Sequence, residues 1–121
     1  MKFSFEQLVV YQESRKLVKT VYLFTKKFPS YEKYSLCSQL QRAAVSVSSN
    51  IAESTGRRSM KEKIHFIEMA YGSLMEVFCQ LQLASDLGYL TEDDVENQRE
   101  RVDNIARLLR ALSYSYSRLV D

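Results

Sequence analysis

Three motifs of one form punctuate the chain: Ser4-x-x-Gln7, Ser59-x-x-Glu62 and Thr91-x-x-Asp94, each opening onto apolar residues at gaps of three and four. A hydroxyl that accepts from the amide three residues on, with a polar side chain reaching back, marks the start of a helix. Phe3 with Leu8, and Leu90 with Val95, occupy the positions of the apolar staple that sets how the chain enters such a helix. The chain is therefore read as a succession of helices, and no alternating strand pattern competes.

The first helix is expected to begin near Phe5 and to be stopped by Pro29, with Val10, Leu17, Val21, Phe24 and Phe28 as its seam and Tyr11, Val18 and Tyr22 beside it. The segment Ser30 to Lys33 is a short connection. A second helix follows from about Ser35 to Thr55, closed by Gly56 as a left-handed cap. The third runs from near Met60 to about Leu87, where Gly88 ends it, a length of roughly 40 Å at the helical rise. The fourth runs nearly to the C-terminus on Val95, Gln98, Val102, Ile105, Leu109, Leu112, Tyr116 and Leu119. Short connections between long helices force antiparallel neighbours, so residues 1–121 are expected to form one all-α domain, an up-down-up-down antiparallel four-helix bundle.

The second helix is unusual in being made mostly of small residues. Leu40, Ala43, Val47 and Ile51 form its apolar face, while Gln39, Arg42, Ser46, Asn50 and Glu53 form a polar stripe beside it. Gly72 stands in the middle of the third helix, where it costs on the order of 1 kcal/mol relative to alanine. Close approach by the small-residue face of the second helix is the simplest reason for it. That pairing brings Glu76 near the level of Arg42 or Asn50, so a structural polar network of Arg42, Asn50, Glu53 and Glu76 is expected, with Arg42 paired to one of the two carboxylates. The stripe suits either the core or a subunit interface.

The third helix also carries two apolar stripes: Ile64, Ile67, Tyr71, Leu74, Phe78 and Leu81 in one, Phe66, Ala70, Val77, Ala84 and Leu87 in the other. A helix in a lone bundle needs about 100° of apolar arc, so the surplus favours burial against another copy over a merely wider core. The eight tyrosines, a residue type suited to interfaces, point the same way.

Composition narrows the function by exclusion. With 17 basic and 15 acidic residues the net charge is +2, too near balance for a chain that is basic throughout, so any polyanion site must come from local charge. Cys37 and Cys79 stand alone and read as small hydrophobes in a reducing compartment. No signal-like leader and no membrane-length apolar run is found, which leads to a cytoplasmic expectation without membrane association. Glu62 and His65 have the ExxH spacing of di-iron bundles, but His65 is the one histidine and Glu62 already serves the helix start. No metal, cofactor or small-molecule substrate is expected. Without a nucleophile elbow, a phosphate loop or a convergent set of titratable groups, neither is an enzyme.

Two stretches carry a family resemblance: QLQRAAVSVSSNIAESTGR, Gln39 to Arg57, and HFIEMAYGSLMEV, His65 to Val77. Together with FEQLVVYQESRKLV and the Phe28-Pro29 break, they resemble the four-helix bundle family encoded in intervening sequences of bacterial large-subunit ribosomal RNA genes. The matching positions are Arg42, Ser46, Asn50, Ile51, Ala52 and Glu53, then Ala70, Gly72, Ser73, Leu74 and Glu76. Ser54 and Thr55 intervene before Gly56 where the family usually has glycine at once after Ala-Glu. That family is similar in turn to accessory proteins of diversity-generating retroelements, pentameric barrels of four-helix bundles that bind nucleic acid through basic surface. The resemblance implies a homo-oligomer, a pentamer, with RNA or DNA as partner.

In the expected topology the turn between the second and third helices shares one end of the bundle with both termini. It supplies Arg57, Arg58, Lys61 and Lys63, with Lys2, Arg110 and Arg118 at or towards the same end, and this is the candidate phosphate site. The opposite end gathers Asp86, Glu92, Asp93, Asp94 and Glu96 against Lys26, Lys27 and Lys33. No aromatic interleaving is evident among the basic residues. The expected function is an oligomeric, non-enzymatic bundle that binds nucleic acid electrostatically or scaffolds it; the alternative is a protein-protein adaptor without nucleic acid.

Overall fold

The structure, a computed structural model, describes residues 1–120. Four helices follow one another: α1 Val9–Thr25, α2 Leu36–Gly56, α3 Met60–Asp86 and α4 Glu92–Ser117, with short 3-10 turns at Ser4–Gln7 and Ser30–Glu32 and no strand among the described residues. Each helix packs on the next, α4 returns to α1, and the diagonal pairs do not meet. The fold is the expected four-helix bundle, with α2–α3 as its broadest seam and α4–α1 as its thinnest.

The helix boundaries show which motifs carried their weight. Thr91 and Asp94 form the full reciprocal box, with Asp94 N–H donating to Thr91 Oγ1 and Thr91 N–H to Asp94 Oδ2, both at 3.0 Å. Leu90 and Val95 are both buried beside it. At Ser59 half of the box forms: Glu62 N–H donates to the Ser59 hydroxyl at 3.1 Å. At the N-terminus the expectation fails. Glu6, and not Gln7, reaches back to Phe3 N–H at 2.8 Å, closing a 3-10 turn, and α1 starts only at Val9. Phe3 is 71% exposed, so it staples nothing.

The two terminal glycines differ in kind. Gly88 takes φ 82°, and Tyr89 N–H donates to Ala84 O at 2.9 Å while Gly88 N–H donates to Ser85 O at 3.0 Å. That is a Schellman closure, which needs the left-handed conformation. Gly56 ends α2 inside the helix and Arg57 follows in extended backbone, so the expected left-handed cap is absent there.

The core is continuous from Leu17 and Val21 of α1 through Leu40, Val47 and Ile51 of α2, Ile67, Leu74 and Leu81 of α3, to Ile105 and Leu109 of α4. Both α3 stripes turn inward, since Ala70, Val77 and Ala84 are as buried as Ile67, Leu74 and Leu81. The wide arc is used inside because α3 packs against α2 and α4 at once. Of the stripe residues only Leu87, just past the end of α3, is exposed; the other apolar residues left outward on α3 are Met69, Met75 and Leu83. Leu119 lies past the end of α4 and is exposed, so the α4 seam stops at Tyr116.

Polar groups missed in the periodicity complete the α1–α2 contact. Ser14 is fully buried, 2.6 Å from Tyr11 O and 2.8 Å from Ser48 Oγ; with its one proton on the carbonyl it accepts from Ser48. Buried Thr25 donates to Tyr22 O and accepts from Gln41 at 3.0 Å. Across the thin α4–α1 seam Arg101 donates to Thr20 Oγ1 at 2.8 Å.

Candidate nucleic-acid interface

The antiparallel packing of α3 and α4 sets the start of α3, with the preceding turn, beside the end of α4, as the Lys63–Tyr116 contact shows. Arg57, Arg58, Lys61 and Lys63 therefore gather at one end of the bundle towards Arg118, while Arg110 lies about three turns further along, against Tyr71 of α3. Their tasks differ. Lys63 is half-buried and donates to Ser54 O at 3.3 Å and Thr55 O at 3.2 Å, so its ammonium closes carbonyls that the end of α2 leaves open. Arg57 forms an ion pair with Glu53, and its guanidinium stands 4.5 Å above the centre of the Phe66 ring. Arg58 and Lys61 are exposed, with no ion pair or hydrogen bond among the described residues. They are the two cations of the four left wholly to solvent.

Aromatic rings accompany the cations at this end, contrary to the sequence reading. Arg110 of α4 lies 3.8 Å from the centre of the Tyr71 ring on α3. Arg118 stands 6.0 Å from the Tyr114 ring and Lys63 Nζ 5.7 Å from the Tyr116 ring. The Tyr71–Arg110 and Lys63–Tyr116 pairs join different helices, so no local pattern announces them. Tyr114 and Arg118, four apart on one helix, are the exception, and their spacing was the signal available.

An open groove of about 630 Å³ lies between α3 and α4, lined by Tyr71, Met75, Phe78 and Arg99 together with Glu96, Glu100 and Asp103. Glu96 holds Arg99 by two hydrogen bonds of 2.9 and 3.0 Å, which lower the carboxyl's pKa and raise the guanidinium's. The acidic residues make this part of the groove a poor seat for phosphate.

The expected polar network is arranged differently. Asn50 donates to Ser46 O and Ser46 Oγ, each at 2.9 Å, and Ser46 Oγ meets Ser73 Oγ of α3 at 2.9 Å. The α2–α3 bridge is thus serine to serine. Arg42 is exposed and the structure brings it to neither Glu53 nor Glu76: Glu53 takes Arg57, and Glu76 accepts from Gln80 Nε2 at 3.2 Å. Gln80 itself is 6% exposed and its Oε1 has no donor. The stripe is split: Gln39, Arg42 and Glu53 are exposed, while half-buried Ser46 and Asn50 lie along the α2–α3 seam.

Gly72 is exposed, and a Cβ built on it would meet nothing within 4 Å. Close approach by α2 is therefore not its reason, because that neighbour packs on the adjacent face through Ser73.

Among the described residues no three His, Cys, Asp or Glu side chains are placed to share a metal ion, and no helix is long and apolar enough to cross a membrane. Four sequentially packed antiparallel helices with a basic end define a four-helix bundle module. The chain belongs to the 23S rRNA-intervening sequence protein family, whose profile matches residues 6–111. Among solved structures it is similar to a protein of unknown function from the S23 ribosomal protein family of Bacteroides thetaiotaomicron. That likeness has TM-score 0.79 and 22% identity, covering 87% of this chain and 98% of the other, and it speaks to the fold. No curated protein matches the chain.

Proposed function

We propose that the protein is a non-enzymatic bundle that self-associates and binds RNA or DNA electrostatically, in the cytoplasm, through the end carrying Arg58 and Lys61. The observation that carries this reading is local charge in a chain of net charge +2: Arg58 and Lys61 stand unpaired at the end towards which Arg118 lies, while Asp86, Glu92, Asp93 and Asp94 lie at the other among Lys26, Lys27 and Lys33. Lys63 and Arg57 support the site by shaping the turn more than by offering free charge. The resemblance to retroelement accessory proteins supports a ring, with a pentamer as the expected size.

The outward α3 residues Met69, Met75 and Leu83, together with the open side of Gly72, favour self-association and would serve equally in an adaptor that recruits another protein. Light scattering with and without mixed-sequence RNA separates the two. An assembly that gains mass with RNA at low salt and loses it steeply on adding salt supports the nucleic-acid reading. Indifference to RNA at low salt supports the adaptor.

A further inference from the structure

We infer that the cation-ring cluster at the basic end is a site for single-stranded nucleic acid, in which bases stack on Tyr114 and on the guanidinium planes of Arg110 and Arg118 while Arg58 and Lys61 take the phosphates. The inference rests on the nucleic-acid reading above and adds the strandedness of its partner. Arg110, Tyr114 and Arg118 recur every four residues along α4, and Tyr71 comes up to Arg110 from α3, so cationic and aromatic planes alternate along one flank of the bundle end. Single-strand binders combine such planes with positive charge, since every base has a face to stack while its phosphates need cations.

The geometry sorts the pairs by what they offer. The guanidinium carbon of Arg110 lies 3.8 Å from the centre of the Tyr71 ring and the residue is exposed, so a base can reach the guanidinium from solvent. Tyr114 is 65% exposed and its contact with Arg118, at 6.0 Å, is loose enough for a base to displace. Four residues of helix advance about 6 Å, close to two stacked-base steps of about 3.4 Å each. A duplex hides its base faces and would meet only the phosphate contacts. The groove carboxylates Glu96, Glu100 and Asp103, which share the groove with Tyr71, limit how far phosphates can follow beyond it.

The test is fluorescence anisotropy at low salt with a labelled mixed-sequence RNA, used as a single strand and annealed to its complement, and with the DNA of the same sequence. The wild type is compared with Tyr114→Ala and with Tyr71→Leu, which keep net charge unchanged; circular dichroism checks that each variant keeps its helices. The inference expects tighter binding of the single strand, and a loss on the order of tenfold for Tyr114→Ala on the single strand alone, with the salt slope unaltered because no charge is lost. Equal binding of both forms with silent tyrosine variants would overturn the stacking site and leave the electrostatic reading standing. Absence of binding to every probe at low salt would remove both.

Discussion

Gly72 is a single residue whose helix-propensity cost nothing in its own chain explains. An alanine there would gain about 1 kcal/mol of helix propensity, and nothing within 4 Å of the added carbon opposes it. A glycine kept where the fold of one chain does not require it fits a surface approached closely by another backbone. Two substitutions separate the chain's own stability from assembly. Gly72→Ala is expected to raise the thermal midpoint of the isolated chain, and Gly72→Gln, which the open space also accepts, to lower the mass of the assembly in light scattering. An unchanged mass for Gly72→Gln would take this position out of any subunit interface. Glycine was visible in the sequence as an anomaly; only its surroundings show that its partner is not α2.

At the scale of the element, the helix ends carry most of the specific chemistry. Asp94 is held below the ordinary carboxylate range, chiefly by the Thr91 amide it accepts, then by the Thr91 hydroxyl and by Lys27, whose Nζ lies 3.6 Å away. A carboxyl whose folded pKa is depressed contributes stability above its unfolded value, near 3.8, and loses that contribution as pH falls through the folded one. Wild type and Asp94→Ala are therefore expected to differ in thermal midpoint at neutral pH and to converge as the pH falls through the depressed folded value; a gap that persists in acid would assign the effect to packing. At the other end of the bundle, Lys63 closes the carbonyls of Ser54 and Thr55. Lys63→Ala is expected to cost about 1 kcal/mol and to speed amide exchange in the last turn of α2, a result that exposed lysines such as Lys61 would not share.

The same difference decides how the whole molecule should be probed. Reversing all four basic residues of the turn would confuse lost charge with a broken helix end. Arg58→Glu with Lys61→Glu removes the two cations that do no structural work, so this pair is expected to abolish RNA binding with the melting curve unchanged. Binding that survives the double reversal would move the site off the bundle end. The segregated charge that makes this prediction possible is a property of the packed bundle. Lys63 and Tyr116 are far apart in the chain, and only the antiparallel return of α4 alongside α3 brings them, and with them Arg118, to the end that carries Lys61.

The sequence by itself determined the helices, their order and their bundle, because caps and periodicity act within a few residues and the apolar seams leave one compact way to be buried. Thr91, Asp94 and Gly88 were legible as boundaries for that reason. Tertiary structure alone decided which polar residues meet. Arg42 and Glu76 share a level yet stay apart, while Ser46 finds Ser73, because side-chain pairing depends on the rotation of each helix about its axis as well as its position along it. The ring beneath Arg110 was hidden for the same reason: Tyr71 lies on another helix, and no local spacing encodes a contact across a seam.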